Sequence, residues 1–438
     1  MQSRILTSFT TMTLLAVLAL ASLSASAQQV NKKRHYRFIN LGTLGGTASG
    51  GNSLSNIGLV TGISNLKGDA TSGAALWAYG LKRNLGTLGG PNSAVLFPVK
   101  NNFGEIVGVS ETADTQPLGE EWSCAFFFAT QPPDGHICLG FKWRFNKMVK
   151  LPTLGGDNGF AAGNNDFGQS VGWAENTTHD STCTAPQVLQ FEAVVWDKDN
   201  HPTQLSPLSP DADSAAVAIN NRGQVVGISG DCDQAFGRFT ARHAVLWEHG
   251  KATELKNLGG KAWNTPVAIN RWGDVAGFAD LPGDDNGKIN SHAFFWTKKL
   301  GKMQDLGVLS GDAISLGLGM NDRGEIVGQS IGSASRAFLY ADGKMIDLNS
   351  TLPKGSSLTL IFAGDINDQG EITGAMLDSR SPVKCAGGCA FLAIPVRDGE
   401  SVEDASISEA DGAEKNLPAP NDGKRSKRML GRFGAAIR

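Results

Sequence analysis

The side chains best suited to chemistry in this chain are acids and indoles gathered in a few polar stretches. Asp211 and Asp213 form one close pair, Asp284 and Asp285 another, and Asp231 and Asp233 flank a cysteine. Glu120, Glu121, Glu175, Asp180 and Asp280 fall in stretches of the same kind, with Trp122, Trp173 and Trp263 nearby. Two carboxylates held across a glycosidic bond can protonate the leaving oxygen and activate or replace water. Aromatic rings beside carboxylates can instead hold a sugar or a cation without reacting with it. The residues expected to touch a ligand are Trp122, Trp173, Trp263, Asp231, Asp233, Asp284 and Asp285. No catalytic residue is assigned. No Gly-x-Ser-x-Gly stands beside a plausible strand–helix elbow, which leaves a serine hydrolase unsupported. Asp284-Asp285-Asn286-Gly287 lacks the alternating ligands and terminal Glu of a calcium-binding EF-hand loop. Without paired Cys-x-x-Cys or His-x-x-x-His spacing, neither a metal nor a cofactor is expected. His136, His179, His201 and His249 are scattered loop residues.

Something must position these stretches, and the chain repeats one unit to do so. Ala218 to Gly227 reads as a strand, an Asn/Gly turn and a second strand. The turn glycine recurs at Gly58, Gly104, Gly168, Gly223, Gly273, Gly324 and Gly370, with gaps of 46, 64, 55, 50, 51 and 46 residues. A second glycine follows four residues later in every copy, from Gly62 to Gly374. That period suits a propeller blade of four short strands. In the fifth unit the strands are expected at Pro266–Asn270, Asp274–Ala279, His292–Trp296 and Lys302–Leu306. Their apolar third strand suits burial on both faces. In the second unit that strand is expected at Cys124–Phe127, ahead of an insertion. Asn bonds to the backbone two residues on and Gly accepts positive φ, so Asn-x-x-Gly closes the first hairpin. A dinucleotide reading of the glycines fails because no helix follows them.

Leu-Gly-Thr-Leu-Gly-Gly at 41–46, Ile-Asn-Asn-Arg-Gly-Gln-Val-Val-Gly at 219–227 and His-Ala-Phe-Phe-Trp at 292–296 resemble the HAF-type extracellular repeat proteins of bacteria. The likeness spans residues 36 to 396. It implies export and tandem repeats, and brings neither an established reaction nor catalytic residues. The name-giving His is kept only at His243 and His292, which argues against a chemical role.

The seventh unit supplies three strands, whereas Tyr36 to Leu44 is a lone strand with the sequence of a fourth. The fold expected is therefore an all-β propeller of seven four-stranded blades closed by the N-terminal strand, with an open β-solenoid as the alternative. Residues 1–27 read as a secretory signal, with Arg4, an apolar Met12–Leu20 and Ala25-Ser26-Ala27; residues 28–396 are the propeller. Residues 397–438, charged and poor in apolar side chains, read as a disordered tail. A secreted or periplasmic monomer is expected, with no membrane span once the signal is removed. Six cysteines in an exported chain favour disulfides, preferably Cys124–Cys138, Cys183–Cys232 and Cys385–Cys389. A formal net charge of −3 argues against a nucleic-acid partner. The function expected is a binding module with a glycan, cell-envelope component or protein on its face of long loops. A propeller enzyme acting on polysaccharide and a structural surface protein are the alternatives.

Overall fold

The computed structural model describes residues 34–120, 128, 135–233, 237–283, 289–381 and 385–396, and the backbone of 408–409. Residues 1–33 and 397–407, the signal and the start of the tail, lie outside the described residues, as do 410–438. The fold begins at Tyr36; the preceding residues belong to a separate unit, Met1–His35.

Seven antiparallel sheets follow one another, the first six with strands a to d in chain order. Blades 1 to 6 run over residues 45–84, 89–150, 159–205, 213–254, 265–305 and 314–347. Blade 7 takes strands a to c from Leu358–Ile366, Ile372–Asp378 and Cys389–Pro395. Its fourth strand is Tyr36–Gly42, antiparallel to Cys389–Pro395 with Tyr36 opposite Pro395. The two ends of the fold thus share one sheet, and the protein is a closed seven-bladed propeller rather than an open solenoid. Ser408–Glu409 adds a two-residue parallel strand outside Tyr36–Gly42. The helix among the described residues is one 3-10 turn, Leu348–Thr351.

The fifth unit lies within a residue of its expected place, at Thr265–Ile269, Val275–Asp280, Ser291–Trp296 and Met303–Asp305. The second unit differs. Its third strand is His136–Arg144, where Trp143 faces Ile106 as Trp296 faces Val275 in blade 5. The Cys-Ala-Phe-Phe likeness at 124–127 misplaced this strand, because register follows the Trp at the strand's end. Cys183–Cys232 and Cys385–Cys389 are formed as expected, and the first joins the b–c loops of blades 3 and 4. Cys138 is disulfide-bonded, whereas Cys124 lies outside the described residues.

The two repeating glycines have separate causes. All seven turn glycines have positive φ, from 73° to 89°, which an L side chain adopts at a cost. The second glycine sits under a bulge in strand a, so that a Cβ on Gly227 would overlap the carbonyl oxygen of Ala215.

The turn asparagine works at both ends of its carboxamide. Asn220 Oδ1 accepts from the N–H groups of Arg222 (2.9 Å) and Gln224 (3.1 Å), fixing the a–b turn. Its Nδ2 donates across the blade boundary to the Asn270 carbonyl at 2.9 Å. The same inter-blade bond runs from Asn101 to Asn165, Asn165 to Asn220, Asn321 to Asn367 and Asn367 to Ser55. A second set uses the next residue of each turn. The N–H groups of Asn56, Asn102, Asp166, Arg271, Asp322 and Asp368 donate to the side chains of Asn102, Asp166, Asn221, Asp322, Asp368 and Asn56 respectively. Every blade boundary carries at least one of these bonds. At the closing boundary Lys100 reaches past blade 1 to the buried Asp365 of blade 7, which also accepts from the Leu54 N–H at 2.9 Å.

Ser55 stands in place of the asparagine in blade 1 and retains a turn bond, to the Leu59 N–H, without an amide to donate onward. Asn220→Ser should therefore cost roughly 1–2 kcal/mol, the Nδ2 bonds to the Asn270 carbonyl and to Gln224 Oε1. Asn220→Ala, which also strands buried turn N–H groups, should cost roughly 2–3 kcal/mol. Urea unfolding at unchanged m-value measures both; equal costs would mean that Nδ2 contributes nothing.

Candidate functional site

Antiparallel order puts the a–b and c–d turns on one face of the propeller and the b–c and d–a loops on the other. The expected site is on the loop face, and buried acids are indeed concentrated there. Glu111, Glu120, Glu175, Asp213 and Asp280 have no exposed surface. Most are occupied with holding loop backbone. Glu175 Oε2 accepts from the N–H groups of Asp157 (3.1 Å) and Asn158 (2.7 Å). Glu111 Oε2 takes the Asn92 N–H at 2.9 Å, and Glu120 Oε1 takes those of Val188 and Leu189, each at 2.6 Å. Burial, with the neighbouring Glu120 charge, pushes the Glu175 carboxyl up to about 8.

Asp213, Asp180 and Glu192 make a second group between blades 3 and 4. Burial pushes Asp213 up to about 9, further raised by the Asp180 carboxylate it faces, although the Phe191 N–H donates to it at 2.9 Å. Burial would raise Asp180 too, but hydrogen bonds from the Thr182 N–H and hydroxyl and from Asp213 outweigh it. Neighbouring carboxyls oppose a second charge, so a proton is held more tightly at Asp213 than at Asp180. Burial raises Glu192 to about 7, against the Ser214 hydroxyl that donates to it at 2.7 Å. The repeat places Glu192 where His292 stands in blade 5. In that position His243 meets Asp211 at 2.8 Å, His292 meets Asp305 at 2.9 Å and Arg336 meets Asp312 and Asp347. The position is a polar tether between neighbouring strands and loops, which is why the residue type varies.

The expected ligand residues fare unequally. Trp173 is a core residue with no exposure, packed against Phe160 and Phe191, because strand b of blade 3 turns it inward. Asp233 accepts the Phe239 N–H of its own loop at 2.9 Å, and Asp231 pairs with Arg242. Trp263 is half-buried at φ 52°, its N–H donating to the Arg238 carbonyl, so these three residues meet in one loop cluster. Trp122, Asp284 and Asp285 lie outside the described residues.

Among the described residues the exposed aromatic surface is mainly on the other face. Of the six exposed aromatic residues among them, only Phe239 is on the loop face. Tyr79, Phe103, Phe145, Phe167 and Trp272, 54–67% exposed, all occupy a–b or c–d turns. Phe103, Phe167 and Trp272 follow the ring of turn residues that carries the inter-blade bonds. Tyr79 donates to the Ile57 carbonyl of the next turn at 2.9 Å, and Arg271 stacks on Trp272 at 4.5 Å. Tyr79 and Phe145 hold φ of 51° and 50°, a costly conformation for bulky residues. Inside the ring, a cavity of about 90 Å³ is lined by Asn102, Asn221, Arg271, Asp322, Asp368 and Lys100, among others. Sequence inspection missed this face, although a bulky apolar residue at the third place of an Asn-x-x-Gly turn was the signal.

No family model matches the sequence, and no curated protein does. Among solved structures, an acylaminoacyl peptidase of Pyrococcus horikoshii matches 85% of this chain and 53% of its own, at 11% identity and TM-score 0.45. A streptogramin B lyase matches 83% and 98% at 11% identity and TM-score 0.44. A puromycin-hydrolyzing peptidase of Mycobacterium tuberculosis matches 78% and 53% at 10% identity and TM-score 0.41. The chain spans about half the length of the peptidases it matches. These likenesses concern the fold alone.

The buried acids set a pH dependence. A carboxyl whose folded pKa is raised holds its proton where the unfolded chain has lost it. Glu175 and Asp213 therefore stabilise the fold fully below the ordinary carboxylate range, and that contribution is lost as pH rises towards about 8 and 9. His243, raised by its bond to Asp211, acts in the same direction at the upper end. The melting temperature should fall between pH 5 and pH 9, and Glu175→Gln should flatten that fall. A melting temperature that rises over this range would contradict the assignment.

Proposed function

We propose that this chain is an exported, non-catalytic binding propeller that holds a glycan on its turn face. The observation that carries the reading is the placement of five exposed aromatic rings on that face, around a rim of Asn and Asp side chains. Rings offer flat apolar platforms for the C–H faces of a sugar, and amides and carboxylates bond to its hydroxyls. The positive φ at Tyr79 and Phe145 supports it further, since local strain at a surface points to a selected role. The formed disulfides support export, as does the resemblance to HAF-type extracellular repeats. Among the described residues no helix is long and apolar enough to cross a membrane.

Thermal unfolding against a panel of cell-wall and capsular glycans tests the reading. One glycan class should raise the melting temperature by several degrees at saturating concentration. Phe103→Ala with Phe167→Ala should abolish that shift while leaving the ligand-free melting temperature within about 2 °C, as exposed positions allow. A shift that survives the double substitution would place the ligand elsewhere.

A further inference from the structure

The boundary that closes the ring, between blades 7 and 1, holds a cleft of about 590 Å³, within the size range of small-molecule sites. Ile39 and Leu41 of the closing strand and Leu392 of strand c form one wall, and Trp77 and Leu81 of blade 1 form the other. The polar groups on the blade 1 wall are donors. Trp77 is 2% exposed, and its indole N–H has no hydrogen-bond partner. In blades 3 and 4 the equivalent indoles donate to the preceding blade, Trp196 to the Pro152 carbonyl at 2.8 Å and Trp247 to that of Ser206 at 2.7 Å. The matching carbonyl for Trp77 belongs to Gly42 and accepts instead from the Ser49 hydroxyl at 2.8 Å. Trp296 shares the unmet N–H, but at Trp77 it coincides with a cavity.

Lys82 is the second donor. It stands directly opposite Trp77 in the strand register, on the same face, and its ammonium lies over Gly42, 3.5 Å from where a Cβ there would stand. Lys82 has no ion pair among the described residues. Glu371, the carboxylate of the lining, accepts from Asn367 within its own turn at 2.7 Å. The exposed Lys82 ammonium and the buried Trp77 N–H, which has no acceptor, border one apolar cleft.

We propose that this cleft binds a small amphiphilic acid, an acyl or aryl carboxylate. Its head takes the Lys82 ammonium and the Trp77 N–H, and its body lies along Ile39, Leu41, Leu81 and Leu392. An apolar body alone would leave the buried Trp77 N–H unmet, and a purely polar ligand would waste the walls. Tyr79 lines this cleft as well as the turn face, so the glycan reading is tested separately, through Phe103 and Phe167.

Dodecanoate and dodecanol, equal in chain and different in charge, test this by calorimetry and by displacement of N-phenyl-1-naphthylamine from the full chain. Dodecanoate should bind one to one and displace the dye more strongly than dodecanol. Lys82→Met, which keeps the stem and removes the charge, should weaken dodecanoate about tenfold and leave dodecanol within about twofold, the scale of one charge-assisted bond. Leu81→Trp, at an exposed position, should fill the cleft and weaken both at least tenfold with an unchanged near-ultraviolet circular dichroism spectrum. Equal binding of acid and alcohol, no binding of either, or full binding by a folded Leu81→Trp protein would overturn the proposal. Binding seen only after removal of residues 410–438 would assign the cleft to the chain's own tail and equally overturn it.

Discussion

A carboxamide that accepts at one end and donates at the other is the interaction on which this molecule depends. In the a–b turns the asparagine oxygen closes its own hairpin while the nitrogen reaches the carbonyl of the next blade. The backbone alone could satisfy each hairpin, but only a side chain with both functions joins hairpins into a ring. An aspartate would offer no donor and would bury a charge. Carboxamide bonds span five of the seven boundaries, and the Asn56 and Arg271 N–H groups bond across the other two, all in the a–b turns. The closing strand completes the ring at its outer edge, and the Lys100–Asp365 pair completes it near the axis.

Because that ring occupies the turn face, the two faces are built differently. On the loop face long connections must be held down, and buried carboxylates bonded to loop N–H groups do this. Burial raises the Glu175 carboxyl against those bonds, and it raises Asp213 beside Asp180 in the same way. On the turn face the connections are too short to need such support. Their central residues point outward, free to carry Phe103, Phe167 and Trp272 at little cost to the fold. Among the described residues, the face with the shorter segments is thus the one with the larger aromatic surface.

Much of this architecture was legible in the chain. Seven turn glycines at a blade-sized period, a missing last strand and a spare first strand specify a closed propeller, because each reflects a local demand on φ or on edge pairing. The Cys183–Cys232 bridge followed from cysteines in equivalent loops of neighbouring repeats, and Cys385–Cys389 from their close spacing in one loop. The site was less legible. Trp173 and the exposed Trp272 are the same residue type, and only the inward or outward sense of their positions separates a core ring from a platform. Strand c of blade 2 was misplaced because Cys-Ala-Phe-Phe imitates a motif whose register is set by Trp143. The seam cleft could not be read at all, since its walls are the first strand of the fold and a hairpin of the next blade, brought together only by closure.

The central claim, that the blades form one closed ring tied at the turn face, is tested most directly by native-state hydrogen exchange of the a–b turn amides. The N–H groups held by the turn asparagines, such as those of Arg222 and Gln369, lie in blades far apart in the chain. In a closed ring they should lose protection together, in one step whose free energy approaches that of global unfolding. Protection that falls blade by blade from one end, as in an open stack of repeats, would contradict the account.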